Sequence, residues 1–139
     1  MRTILRTATI AFALGLAAQP SLADPMGTWQ TENGRSRIKI ENCGGALCGN
    51  IVWLKEPNDP ETGKPKLDKN NADSGKRGRP LIGVPIVISM KPNGPSKWSG
   101  QVYNAEDGKT YSDNITELGP TSLKLEGCAQ AWKRALASA

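Results

Sequence analysis

Lys97-Trp98-Ser99-Gly100-Gln101-Val102-Tyr103-Asn104, returning after Glu106-Asp107-Gly108 through the run Lys109 to Leu118, decides how this chain folds. Trp98 and Val102 fall at even spacing, as a strand with one face on a core requires, and the Glu-Asp-Gly triplet supplies the turn between two β-type runs. Downstream, Gly119-Pro120 turns again, Leu123 and Leu125 alternate on a further strand, and Gln130 to Arg134 closes the series. Upstream, Met26 to Thr31 makes a brief first strand and Arg37-Ile38-Lys39-Ile40-Glu41 alternates polar with apolar. Cys43-Gly44-Gly45-Ala46-Leu47-Cys48 offers glycines for a turn into the strand Gly49 to Leu54. Residues 55–79 break the pattern with Pro57, Pro60, Gly63, Pro65, Gly75 and Gly78, which predicts a long surface loop. Pro80 then opens an apolar run, Leu81 to Met90, whose internal Pro85 marks an edge, a bulge or a bend. About eight short strands joined mostly by tight turns predict an all-β chain, an antiparallel barrel or a sandwich.

Ahead of the strands, Arg2 and Arg6 precede an apolar segment from Ala8 to Ala18 that only Thr9 interrupts. Ser21-Leu22-Ala23 places small residues three and one positions before Asp24. This layout predicts a cleavable signal peptide at 1–23 and a single domain at 24–139. The apolar run falls well short of the roughly 20 residues that span a bilayer, so no membrane span is expected after cleavage. No cysteine follows the cut to carry a lipid, and the separated arginines favour the general export route. Cleavage leaves 116 residues, enough for one core, with 16 basic and 13 acidic side chains and a formal charge of +3. So mild an excess keeps a protein soluble without marking a nucleic-acid binder.

The ordered set of motifs carries a resemblance. Gly27-x-Trp29, Cys43 and Cys48, Gly49-Asn50-Ile51-Val52-Trp53-Leu54, Arg79-Pro80-Leu81-Ile82-Gly83, Trp98 to Tyr103, Asp107-Gly108-Lys109-Thr110-Tyr111, Leu123-Lys124-Leu125-Glu126-Gly127 and Trp132-Lys133-Arg134 occur in sequence. Together they resemble the exported bacterial family called domain of unknown function 2147, over almost all of the mature chain. The resemblance implies a small up-and-down, lipocalin-like β-barrel, and a periplasmic or secreted location. It also implies a structural role for Gly27, Trp29 and Arg134: the tryptophan of Gly-x-Trp plugs one barrel end and stacks on the late arginine, a cation–π contact of about 0.5–2 kcal/mol. The segment Gly127-Cys128-Ala129-Gln130-Ala131-Trp132 is shorter than the family's usual connection, which leaves Cys128 without an obvious partner.

Cys43 and Cys48 flank a glycine turn in a chain expected to be exported, and a disulfide is the first reading. A metal or redox role is the alternative, weakened by the absence of histidine and a count of three cysteines. Cys128 is the odd thiol, read first as buried and second as the link of a disulfide-joined dimer, the chain otherwise being a monomer. The lack of histidine removes serine–histidine and cysteine–histidine catalysis and most zinc hydrolase designs. Carboxylate pairs remain, Glu106 with Asp107 and Asp68 with Asp73, but their turn-like surroundings predict ordinary pKa values. Asp68 to Asp73 fails as a calcium loop, because Ala72 occupies a ligand position and Asp73 the position that needs glycine. Lys76, Arg77 and Arg79 form a basic cluster that is a candidate contact for an anion or a partner, although a solvated loop explains it more simply. Asn114-Ile115-Thr116 matches a glycosylation sequon, accidental in a bacterial setting.

These observations predict a non-catalytic binding module with no cofactor and no metal. In a barrel mouth, Trp53, Trp98, Tyr103 and Tyr111 are the candidate walls of a site for a small apolar or amphipathic ligand, with the 55–79 loop as its lid. Solid packing of the tryptophans in the core is the competing expectation. The alternative function is an interaction or inhibitor module of the cell envelope acting through that loop.

Overall fold

A computed structural model describes residues 24–127 and 130–135, together with 9–11 and 15. Nearly all of the expected signal peptide, and Cys128, therefore lie outside the described residues. The strands are β1 (Gly27–Gln30), β2 (Ser36–Cys43), β3 (Ala46–Leu54), β4 (Pro85–Pro92), β5 (Lys97–Asn104), β6 (Lys109–Gly119), β7 (Ser122–Leu125) and β8 (Gln130–Arg134). Each pairs antiparallel with the next, and β1 pairs with β8 through Trp29 opposite Arg134 and Gln30 opposite Lys133. The sheet thus closes into a barrel, which leaves no free edge for another chain to pair with.

Period-two alternation fills the interior. Trp98 stands opposite Ile115, Ile115 opposite Leu125, and Leu123 opposite Trp132, all of them buried. Trp29, Trp98 and Trp132 belong to one core cluster with Ile38, Met90 and Leu125. An eight-stranded barrel has an interior that side chains can fill or that can hold one small ligand, and here three indoles take up much of it.

Two boundaries differ from the sequence reading. The β2–β3 turn is only Gly44-Gly45, with Cys43 paired to Ala46; φ values of +63° and +86° at the two glycines suit a two-residue turn that matches the twist of the strands. The long loop runs on from 55 to 84, because β4 begins at Pro85 rather than at Leu81. Proline lacks the N–H for a ladder and is tolerated as a first strand residue. Val84 precedes β4 yet is buried in the core cluster, its carbonyl accepting from the Ile51 amide of β3.

This loop is folded on itself. Bridges join Asn58 to Pro65 and Leu67 to Pro80, and a single 3-10 turn, Ser74–Lys76, is capped by the Asp73 side chain. It leaves the barrel at the end shared with the β1–β2 and β5–β6 turns. The opposite end carries the Gly44-Gly45 hairpin and the segment that precedes β1.

Candidate functional site

Val87 and Val102 form an inward-facing pair, so Ile86 and Tyr103 beside them face outward. Both are nevertheless buried, at 7% and 5% exposure, which means that something covers the outer wall there. The cover is the loop, and Asp68 fastens it. Its carboxylate accepts from the Tyr103 hydroxyl (2.6 Å), Asn71 Nδ2 (2.9 Å) and Arg79 Nε (2.9 Å), and pairs with an Arg79 Nη at 2.9 Å. Its own amide donates to the Arg79 carbonyl at 3.0 Å. Asn70 adds a second clasp, donating to the carbonyls of Ala105 and Glu106 in the β5–β6 turn.

The charge balance follows from this geometry. Burial pushes the Asp68 carboxyl up, but the donors on Tyr103, Asn71 and Arg79 and the charge of Arg79 outweigh burial and hold it below the usual carboxylate range. Burial together with the bond to Asp68 pushes the Tyr103 phenol up to about 12. The surroundings of Asp68 are therefore not the ordinary turn that its neighbours in sequence suggest. Asp107 departs too: the hydroxyl of Tyr111 donates to it and holds its carboxyl low.

Between the loop and the β4–β5–β6 wall lies a half-open cleft of about 560 Å³. Pro85, Ile88 and the rings of Tyr103 and Tyr111 give it apolar surface; Lys76 and Lys109 bring cationic side chains. Asn71, Asp73 and Thr110 add polar groups. Ile88, Tyr103 and Thr110 belong to the outward set of their strands, whereas Tyr111 stands opposite the inward-facing Val102 near the start of β6, so the cleft lies against the outer wall at the loop-side rim rather than deep in the barrel interior.

The structure separates the four aromatic residues expected to line one site. Tyr103 and Tyr111 line the cleft. Trp98 fills the core, and Trp53 faces solvent with the Arg37 guanidinium 4.6 Å from its ring. Trp53 is turned outward by an irregularity between Arg37 and Ile38, where β3 carries one residue more than β2 between paired positions. The basic cluster divides as well. Arg79 is engaged by Asp68, and Arg77 donates through Nε to the Asn71 carbonyl at 2.7 Å, so both hold the loop together. Lys76 is exposed and lines the cleft.

At the other end, the Arg134 guanidinium lies 4.3 Å from the Trp29 ring. A Cβ at Gly27, whose φ is +122°, would stand 2.7 Å from Arg134 Nη1. Cys43 and Cys48 form a disulfide with their Cα atoms 6.0 Å apart. Sequence reasoning missed Asp113, a buried residue whose Oδ1 accepts from the Gly127 amide at 2.5 Å and so ties β6 to the residue just after β7. Among the described residues no group of acidic and cysteine side chains is placed to hold a metal ion, and no helix is long and apolar enough to cross a membrane.

Comparison with known proteins adds the following. A family model described as an uncharacterized protein conserved in bacteria (DUF2147) matches residues 27–134. Among solved structures, the chain is similar to protein HP1028 from the human pathogen Helicobacter pylori, described as belonging to the lipocalin family. The match has a TM-score of 0.66 at 22% identity and covers 82% of this chain and 84% of that one, which shows a shared fold. The curated proteins contain no match.

Proposed function

The chain belongs to DUF2147, a family of uncharacterized proteins conserved in bacteria, and on that premise we propose that it is an exported, non-catalytic barrel that binds a small amphipathic ligand with an anionic head. The observation that carries this reading is the cleft: about 560 Å³ of space, within the range of small-molecule sites, lined by the rings of Tyr103 and Tyr111 and by the cationic Lys76 and Lys109, with Asp73 and the Asp68-paired Arg79 beside them. Export is supported by the signal-like first 23 residues and by the Cys43–Cys48 pair, since disulfides persist in oxidising compartments. The non-catalytic reading rests on what the ionised groups do. Asp68 and Arg79 neutralise each other, and Tyr103 stays protonated at neutral pH with its hydroxyl committed as a hydrogen-bond donor to Asp68.

Native mass spectrometry of protein purified from the periplasm, followed by organic extraction, tests the proposal. The expected result is a copurifying anionic amphipath at near-stoichiometric amount. A bare monomer that also ignores hydrophobic dyes would overturn it. A second reading, an envelope interaction module, is favoured by Leu67 and Ile82, which the loop leaves 46% exposed. Capture of a defined envelope partner that is lost in a Leu67→Ser, Ile82→Ser variant would support that reading instead.

A further inference from the structure

Residues 24–26 are strapped across the barrel end opposite the loop. Trp29 Nε1 donates to the Pro25 carbonyl at 2.8 Å, while Arg134 Nη2 and Nη1 donate to the carbonyls of Asp24 (3.0 Å) and Met26 (2.9 Å). Asp24 is also the residue that the signal-peptide pattern places first after cleavage. The strap is therefore held right up to the expected new terminus.

Glu117 faces the same place. It follows Asp113 and Ile115 on the inward set of β6, near the strand's end. Its Oε2 is buried and accepts no hydrogen bond from the described residues. Burial pushes its carboxyl up; Arg134 and the Asp24 amide act against burial, and the Asp24 side chain acts with it. Those are the charged groups that bear on it among the described residues; Arg134 acts on it through its charge, while its Nε, Nη1 and Nη2 donate to the backbone carbonyls of Pro120, Met26 and Asp24. A buried carboxylate oxygen without a donor among the described residues is costly, so Oε2 leaves a place for a further, cationic donor beside the Asp24 nitrogen.

We propose that Glu117 is the receiving site for the α-ammonium that cleavage before Asp24 creates. Hydrolysis adds water across the Ala23–Asp24 amide: the Ala23 carboxylate departs with the leader, and the Asp24 nitrogen becomes an ammonium. One N–H donor is replaced by three and a positive charge, next to an inward carboxylate. Processing thereby completes an ion pair that locks the strap over Trp29. The inference rests on the export reading and is independent of the cleft.

The test uses mature protein from the periplasm, whose intact mass first gives its amino terminus. A terminus other than Asp24 overturns the inference at its premise and leaves the cleft untouched. With Asp24 first, the α-amine is titrated by NMR in the wild type and in Glu117→Gln. The expected result is a value above the ordinary range of about 7.7–8.0 in the wild type and a return to that range in the variant. The pair then contributes stability below about pH 8 and loses it as pH rises through the raised value. A form that retains Ala23 moves the charge away and should lower Tm by about 3 °C in the wild type, with little further loss in Glu117→Gln. Equal α-amine values in both proteins, or equal losses on retaining Ala23, would show that the terminus and Glu117 do not pair.

Discussion

Asp68 shows what a single side chain does in this fold. It is 1% exposed and carries bonds from three residues of two different elements, so its removal unfastens the loop from the wall. Breaking a buried ion pair costs about 3–5 kcal/mol, but the Arg79 side chain is about one-third exposed and recovers water, so Asp68→Asn should cost about 2 kcal/mol. Urea unfolding at pH 7 measures this. The pH dependence has a definite sign. The folded carboxyl lies below its unfolded value, so the contribution is present above about pH 4 and is lost as pH falls through the folded value. The gap between wild type and Asp68→Asn should therefore narrow as the pH falls below about 4, and a constant gap would rule the ion pair out as the cause. None of this was legible in the sequence. Asp68 and Tyr103 are 35 positions apart, and each has a locally sufficient explanation, one as a turn residue and the other as a strand aromatic.

At the scale of elements, the strands were legible because their information is local. Leu123 and Leu125 alternate, Lys97 to Asn104 is bounded by turn residues, and both strands appear where the pattern puts them. The β4 boundary was not legible, since Leu81 and Val84 are as apolar as the strand that follows; the end of the loop places Val84 in the core cluster and tucks Leu81 against it. The β2–β3 hairpin offers a direct check on what its staple contributes. The disulfide closes a short loop, so its reduction, or Cys43→Ser with Cys48→Ser, should cost about 2 kcal/mol. The Gly44-Gly45 turn already sets the register, so unfolding should stay cooperative, with an unchanged denaturant slope. At the β1–β8 seam, Gly27→Ala adds a side chain at positive φ against Arg134 and should cost about 1–3 kcal/mol in the same assay. A neutral Gly27→Ala would mean that Arg134 gives way easily and does not fix the seam.

For the whole molecule, the decisive question is which side of the wall holds a ligand. A lipocalin-like fold invites a site in the interior, yet Trp29, Trp98 and Trp132 occupy the core while the cleft lies outside, beneath the loop. The two locations respond oppositely to two substitutions. Trp98→Ala enlarges the interior and should cost about 3–5 kcal/mol of stability through lost burial and the cavity left behind. If the ligand sits in the cleft, its affinity should hardly change in this variant, provided that the folded fraction is measured alongside. Lys76→Glu with Lys109→Glu leaves the core intact and reverses the charge at the cleft, so an anionic amphipath should bind at least about tenfold more weakly, a change near 1.4 kcal/mol. Because these lysines are exposed, the loss should shrink as ionic strength rises and the Debye length falls below about 8 Å. Titration calorimetry with the extracted amphipath at two salt concentrations reads both effects. Tighter binding in Trp98→Ala together with no loss in the lysine variant would move the site into the barrel and overturn the assignment to the cleft.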